Sequence, residues 1–397
     1  MPPYLAGREG EVDEFKKLLD QDIILENLVL TGLRGVGKTV LLETFKPKAI
    51  AADWLWVGTD LSESCSVTEE SLAIRLLADL SVVTAQLIIH EEEFVGFGLR
   101  KQSEIVQQRL DYSALENVFR ATPGLIADKL KAVLEIAWRF LKPTSKRGVI
   151  FAYDEAQNLA DHAADKQYPL SLLLDVFQSI QKKEIPFMLA LTGLPTLFPK
   201  LVEARTFAER MFHVIHIDRL NESDSRKAIT EPIHKDSCPV TFSEPSVANI
   251  VRESGGYPYF IQFLCREVYD IFIQRIDEGE ATPLVDLRGI VRKLDADFFD
   301  GRWSRATDRQ RELLNIIASL DSADAEFTVA EIVEASAGHR DRAFSASHVN
   351  QMLSKLCDTG LIYKNRFGKY SFAVPLLGQF IRRRLSGDQM PSKGLFD

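Results

Sequence analysis

Short uninterrupted apolar runs alternate with stretches of helical period up to about position 220, and after that the helical period dominates. The runs cover 28–30, 54–57, 148–153, 187–191 and 212–217. Between them, Val12, Phe15, Leu18 and Leu19 share one helix face, and 69–80 and 170–180 read as further helices. Continuous apolar strands alternating with helices predict an α/β fold whose parallel sheet is covered on both faces. The helix after Thr39 is expected to stop before Pro47, and Thr68 is a weak cap for the helix over 69–80.

The stretch 81–146 separates the second and third strands by more than a minimal crossover needs. It reads as a mostly helical insertion, with Glu91, Glu92 and Glu93 as a solvated face and a glycine-containing break at 94–98. From 221 to about 300 only helices are expected, an all-α domain with Gly255-Gly256-Tyr257-Pro258 between two of them. The segment 301–388 changes again. Helices over 308–320, 328–335 and 345–359, a glycine stop at Gly360 and a two-stranded ribbon around 361–372 describe a winged helix-turn-helix. A closing helix follows Pro375, and 389–397 reads as a tail. The expected domains are therefore 1–220, 221–300 and 301–388.

The chain has 397 residues, 46% hydrophobic and 26% charged, within the range of globular proteins. No apolar run approaches the ~18 residues of a membrane span, and the N-terminus lacks the pattern of a secretory signal. Cys65, Cys238, Cys265 and Cys357 are scattered without metal or redox spacing, which suits buried thiols in a cytoplasmic protein. His213 and His216, three apart in a strand, read as structural. The net charge of −9 argues against broad nucleic-acid affinity but leaves room for a local basic patch. Lys355, Lys364, Arg366, Lys369 and Arg382-Arg383-Arg384 supply such a patch in the last segment. Winged helices also serve as protein-packing modules, so both partners stay open.

Candidate chemistry starts at Gly32-Leu33-Arg34-Gly35-Val36-Gly37-Lys38-Thr39, followed by Val40. It fits G-x-x-x-x-G-K-S/T at every defined position, between a strand and a helix as that motif requires. Glycines let the backbone curl its N–H groups around a phosphate, and the helix N-terminus adds partial positive charge. Lys38 is placed to reach the β- and γ-phosphates of ATP, and the Thr39 hydroxyl to hold magnesium. Asp154 and Glu155 end the third strand at the sheet edge where ligands bind. Asp154 is expected to hold magnesium and Glu155 to polarise the attacking water. Thr192 ends the fourth strand, either as a hydroxyl sensing the γ-phosphate or as the start of a turn before Pro195. Arg205 and Arg210 precede the fifth strand. Either is a candidate for a guanidinium donated across a subunit boundary, with Arg210 preferred, or else a paired surface arginine.

Together these features resemble the AAA+ ATPases, on the branch holding the origin-recognition or initiator-type and the STAND-like ATPases. Gly7-Arg8-Glu9 resembles the N-terminal box around the adenine, 32–39 the Walker A loop, and 150–155 the Walker B strand. The Asp154-Glu155-Ala156-Gln157 form is also similar to bacterial transposition and secretion ATPases. The resemblance implies sheet order 5-1-4-3-2, a helical lid over ATP, Thr192 as sensor 1 and Arg210 near the arginine finger. The lid stretch 256–260 has no arginine and looks like the glycine-x-proline of STAND-like ATPases, with Pro258 near the adenine. The implied function is a slow ATP-dependent switch or assembly factor acting on duplex DNA or a DNA-bound partner, with ATP-dependent homo-oligomers. The alternative is a STAND-like scaffold whose winged helix contacts protein. A module that holds ATP without turnover fits less well, because Glu155 is present.

Overall fold

The computed structural model describes residues 4–95, 103–235, 242–280, 285–339, 343–366 and 368–386. Cys238, the tail 389–397, the glycines of the 94–98 break and the side chains of Glu91–Glu93 and Arg366 lie outside what is described. The chain divides into two compact units. The first holds 9–31 and 38–216; the second holds 4–8, 32–37 and 217–386.

In the first unit, β1 (Asn27–Thr31), β2 (Trp54–Val57), β5 (Gly148–Tyr153), β6 (Phe187–Gly193) and β7 (Phe212–His216) form a parallel sheet in the order β2-β5-β6-β1-β7. This is the order expected. Every residue of β1, β5 and β6 is buried, which is why these strands read as unbroken apolar runs. Phe151, Phe177 and Phe187 pack together in the core, with ring centroids 5.1 and 5.7 Å apart. Asn27 fixes the amino end of the sheet: its Oδ1 accepts from Leu189 N (2.7 Å) and its Nδ2 donates to Met211 O (3.1 Å).

Two expectations about this unit need correction. The helix after the glycine loop runs through Pro47, as Lys38–Ala51. Phe45 and Ala49 are both buried, so packing on either side outweighs the lost backbone bond. The insertion is not purely helical. β3 (Ile88–Val95) and β4 (Ser103–Arg109) make an antiparallel hairpin before the helices Tyr112–Ala121 and Ile126–Leu141. Its cross-strand bonds are made within the hairpin, so no continuous apolar run is needed to form it.

A buried polar network sits beneath the end of β5. Asp79, on the helix Glu69–Thr84, accepts from Tyr153 OH (2.8 Å) and from Arg75 Nε (2.9 Å). Burial, reinforced by the Asp79 carboxylate, pushes the Tyr153 phenol well above its ordinary value, so it stays a donor.

In the second unit, helices Glu222–Lys235, Glu244–Ser254, Pro258–Asp277 and Leu287–Leu294 close over a core that includes Ile229, Ile250, Leu264 and Ile290. The last of them continues as a π-helical turn, Asp295–Asp300, and a short helical piece, Gly301–Trp303. Then come the helices Asp308–Ala318, Val329–His339 and Ala346–Asp358, with β8 (Phe327–Thr328), β9 (Ile362–Arg366) and β10 (Lys369–Phe372). The ribbon is three-stranded, in the order β8-β10-β9, where two strands were expected. β8 is only two residues long and shows no period in the sequence.

The basic run at the end of the chain is not an open patch. Arg382 pairs with Asp324 (2.6 Å), Arg383 with Asp295 (3.0 Å from Nε) and Arg384 with Asp300 (3.0 Å). These pairs hold the last helix, Leu377–Leu385, to the π-turn and the strand region. Among the described residues, no helix is long and apolar enough to cross a membrane.

Candidate nucleotide site

The first unit brings Thr39, Asp154, Glu155 and Thr192 to the carboxyl edge of its sheet. Thr39 lies in the first turn of the helix Lys38–Ala51, and its hydroxyl donates to Asp154 Oδ2. The other Asp154 oxygen accepts from Glu155 N (2.8 Å). Asp154 itself is buried, and its backbone bonds Thr59 and Leu61 beyond the end of β2. A hydroxyl and a carboxylate facing each other at a helix start are a hard-oxygen pair that suits magnesium. Lys38 is also buried, at 9% exposure.

Glu155 has a left-handed backbone, φ 51°, at the start of the 3-10 turn Ala156–Asn158. A non-glycine residue held there costs about 1 kcal/mol or more, and such strain concentrates at functional sites. Its carboxylate accepts from Gln157 Nε2. Gln157 Oε1 in turn accepts from Leu194 N (3.1 Å), and Lys200 Nζ donates to Gln157 O (2.8 Å). Burial lowers the Lys200 pKa. Gln157 thus ties the carboxylate to the loop after β6. Sequence reasoning gave it no role; the Asp-Glu-Ala-Gln run was the available signal.

Thr192 is fully buried, and its hydroxyl has no partner among the described residues. Tyr153 pairs with Leu191, so the next step along β5 and β6 puts Asp154 and Thr192 level. An orphaned buried hydroxyl beside a hard-oxygen pair fits a site built for an absent polar group.

The two arginines before β7 separate clearly. Arg205 makes two bonds to Asp175, 2.8 and 2.7 Å, and is held as an ion pair. Arg210 is exposed on the short helix Ala208–Met211, with no ion pair among the described residues. It precedes Phe212, which pairs with Asn27, while Thr31 pairs with His216. Arg210 therefore lies at the amino edge, about one strand length (~17 Å) from the carboxyl edge of its own sheet.

The second unit contains the glycine loop itself. Gly37 has φ 93°, a value only glycine adopts without strain, and its missing side chain would approach Pro258 Cγ at 4.0 Å. The carbonyl of Gly35 accepts from Tyr259 N (3.1 Å), at the start of the helix Pro258–Asp277. The buried Arg8 guanidinium donates to Val36 O (3.1 Å) and Asp218 O (2.6 Å), clamping the loop to the segment after β7. Gly256 has φ 78°, and its carbonyl accepts from Leu220 N (2.8 Å). Pro258 is thereby set beside the loop. Leu33 lines a cavity of about 310 Å³ together with Asp218, Arg219, Tyr257, Asp324 and Glu326.

The chain is similar in structure to the Walker-type ATPase of Pyrococcus abyssi: TM-score 0.58, 16% identity, 95% of this chain and 96% of that one. It is also similar to the ADP form of the ORC2 protein of Aeropyrum pernix: TM-score 0.53, 13% identity, 97% and 96%. The chain has the fold of the AAA+ ATPases. No curated protein matches it. One family model, described as a domain of unknown function (DUF8462), matches 296–381. That match begins within the π-turn and ends inside the last helix. Within the AAA+ fold, the sequence-predicted residues 32–39, Asp154, Glu155 and Thr192 all stand at the ends of β1, β5 and β6 or directly after them.

Proposed function

We propose that this protein binds ATP with magnesium and hydrolyses it slowly, as a switch acting on DNA or a DNA-bound partner. The observation that carries the reading is the Thr39–Asp154 pair level with the orphaned Thr192 hydroxyl. Lys38 and the loop N–H groups would neutralise the phosphates. Magnesium, held by Thr39 and Asp154, would supply further charge neutralisation at the phosphate oxygens. Glu155 would orient the attacking water and take its proton, with Gln157 fixing the carboxylate, and Thr192 would donate to the terminal phosphate or the water. Arg8, Pro258 and the flanking Val40 would define the base end of the site. Arg210, too far from its own sheet's carboxyl edge, would serve a neighbouring copy in an ATP-dependent homo-oligomer.

The DNA reading is supported by the segment 301–388, taken as a winged-helix domain after the lid 221–300. The helix Ala346–Asp358 buries Val349, Met352, Leu353 and Leu356 and exposes Ser347, His348, Asn350, Gln351, Ser354 and Lys355. Asn and Gln can pair bidentately with adenine, and lysine with guanine or phosphate. The second reading, a STAND-like scaffold with protein contacts, is favoured by the pairing of all three C-terminal arginines, which removes them as phosphate contacts.

Turnover of Glu155→Gln tests the first step. ATP binding should persist while hydrolysis falls ~10²-fold or more; unchanged hydrolysis rejects the assignment. Light scattering with ADP or a slowly hydrolysed ATP analogue, each with and without duplex DNA, tests the second. Assembly needing both analogue and DNA supports the switch. Analogue-driven assembly without DNA affinity supports the scaffold.

A further inference from the structure

The cavity of about 310 Å³ lies wholly within the second unit, and the nucleotide reading gives it no role. Its floor is one face of the ribbon. Tyr363 and Asn365, two apart on β9, share that face, and Ser371 of β10 pairs with Tyr363 across the strands. Ser371 also hydrogen-bonds the Tyr363 hydroxyl. Asn365 Nδ2 donates to Glu326, the residue before β8. Tyr257, at the start of the helix Pro258–Asp277, and Asp218, after β7, add a second wall. The last helix adds a third. There Asp324, bonded to Arg382 (2.6 Å), lies so close that a Cβ on Gly378 would stand 3.0 Å from its Oδ1.

Two aromatic rings and one carboxylate set the chemistry of this cavity. Tyr257 and Tyr363 are half-buried, and burial pushes both phenols up, so both rings stay neutral. The face of such a ring attracts a cation. Asp218 is exposed. Its Oδ1 accepts from Arg219 N (2.7 Å), and among the described residues its carboxylate has no ion pair. The lining carries Asp218, Asp324 and Glu326 against one guanidinium, Arg219, which disfavours an anion. A volume of about 310 Å³ is at the lower end of ligand pockets and suits a small molecule or one long side chain. We propose that this cavity binds a small organic cation, an alkylguanidinium or alkylammonium group, whose charge meets Asp218 and whose body lies against Tyr257 and Tyr363. A guanidinium suits both partners, because its plane stacks on rings and its N–H groups pair with a carboxylate.

The group can come from a free amine or from an arginine of another protein, and the test separates the two. The full chain, without nucleotide, is titrated by calorimetry with agmatine, with its uncharged counterpart N-butylurea, and with a capped Gly-Arg-Gly peptide. The cation should bind at one site, at least about tenfold tighter than N-butylurea. Asp218→Asn, at an exposed position, should weaken it about tenfold, the scale of one charge-assisted hydrogen bond. Tyr363→Leu should weaken it severalfold, and Tyr363→Phe, which keeps the ring, should not. Glu43→Gln, which removes an exposed carboxylate of the first unit, should change nothing. Binding of the peptide assigns the cation to a partner's arginine, and binding of agmatine alone assigns it to a free amine. No saturable binding of either, equal binding of N-butylurea, or a loss in Asp218→Asn no larger than in Glu43→Gln overturns the site. With no nucleotide present, the result is independent of the ATP reading.

Discussion

Replacing Thr192 by valine should make the unliganded protein more stable and its response to nucleotide weaker. The side chain is fully buried, and its hydroxyl has no partner among the described residues. A buried, unsatisfied hydroxyl costs about 1–3 kcal/mol. Valine has the same shape, so no cavity opens, and the removed cost should appear as a gain of at least ~1 kcal/mol. For a unit of this size, that corresponds to a rise in melting temperature of roughly 2–4 °C. With saturating ATP analogue that gain is cancelled. The wild-type hydroxyl gains a hydrogen bond that the variant cannot form, so the nucleotide-induced shift should shrink by about 1 kcal/mol. Turnover should fall about tenfold or more, as for loss of one transition-state donor. Thermal unfolding with and without the analogue reads both terms. If the variant melts lower without nucleotide, the hydroxyl has a partner in solution and the argument fails. If it melts higher but responds to nucleotide as wild type does, Thr192 is a packing residue and the sensor role is refuted.

Asp79→Ala should destabilise the first unit by roughly 2–4 kcal/mol, because it strands the buried Tyr153 hydroxyl and unpairs Arg75; denaturant titration measures it, and a loss below ~1 kcal/mol contradicts the network. Gly256→Ala should cost about 2 kcal/mol or more. Its φ is 78° and the new Cβ would lie 2.3 Å from the Leu220 carbonyl. Nucleotide affinity should fall with it, since Pro258 follows two residues on. Thr328 holds the Glu331 carboxyl below its ordinary range through hydrogen bonds of 2.6 and 2.7 Å at the start of the helix Val329–His339. A lowered folded-state pKa stabilises above the unfolded value, about 4.3, and that stability is lost as pH falls through the folded value. Glu331→Gln should remove this acid-side loss, a fraction of a kcal/mol at a site that water still screens, seen as a flatter dependence of melting temperature on pH below about 4.

The sheet was legible because its strands are buried on both faces. Before Tyr153 and Thr192 at their carboxyl ends, β5 and β6 hold only glycine and apolar residues, so their sequences carry an unbroken signal. The glycine loop, Asp154 and Glu155 were legible because their chemistry fixes residue type and spacing within a short window. The hairpin β3–β4 was not, because its run of glutamates reads as a charged surface in either a helix or a strand. Nor was the role of the C-terminal arginines. Arg382, Arg383 and Arg384 pair with acids 58, 88 and 84 positions away. No window along the chain shows such neutralisation, so a structural clamp looked like an open basic patch. The empty valence at Thr192 is equally invisible in sequence, since it depends on what does not surround the hydroxyl.

The glycine loop belongs to the same compact unit as the C-terminal half of the chain, although it lies between two segments of the other unit. Arg8 and Tyr259, which brace it, come from near one end of the sequence and from beyond its middle. An excised fragment ending at His216 would keep the full Walker motif and yet lose Tyr259 and Asp218, the groups to which Gly35 and Arg8 bond. Grafting the sheet unit onto a foreign effector would leave the phosphate loop without these two braces. By contrast, the stretch matched over 296–381 is unbroken in sequence, whereas the phosphate loop draws its braces from positions far apart along the chain.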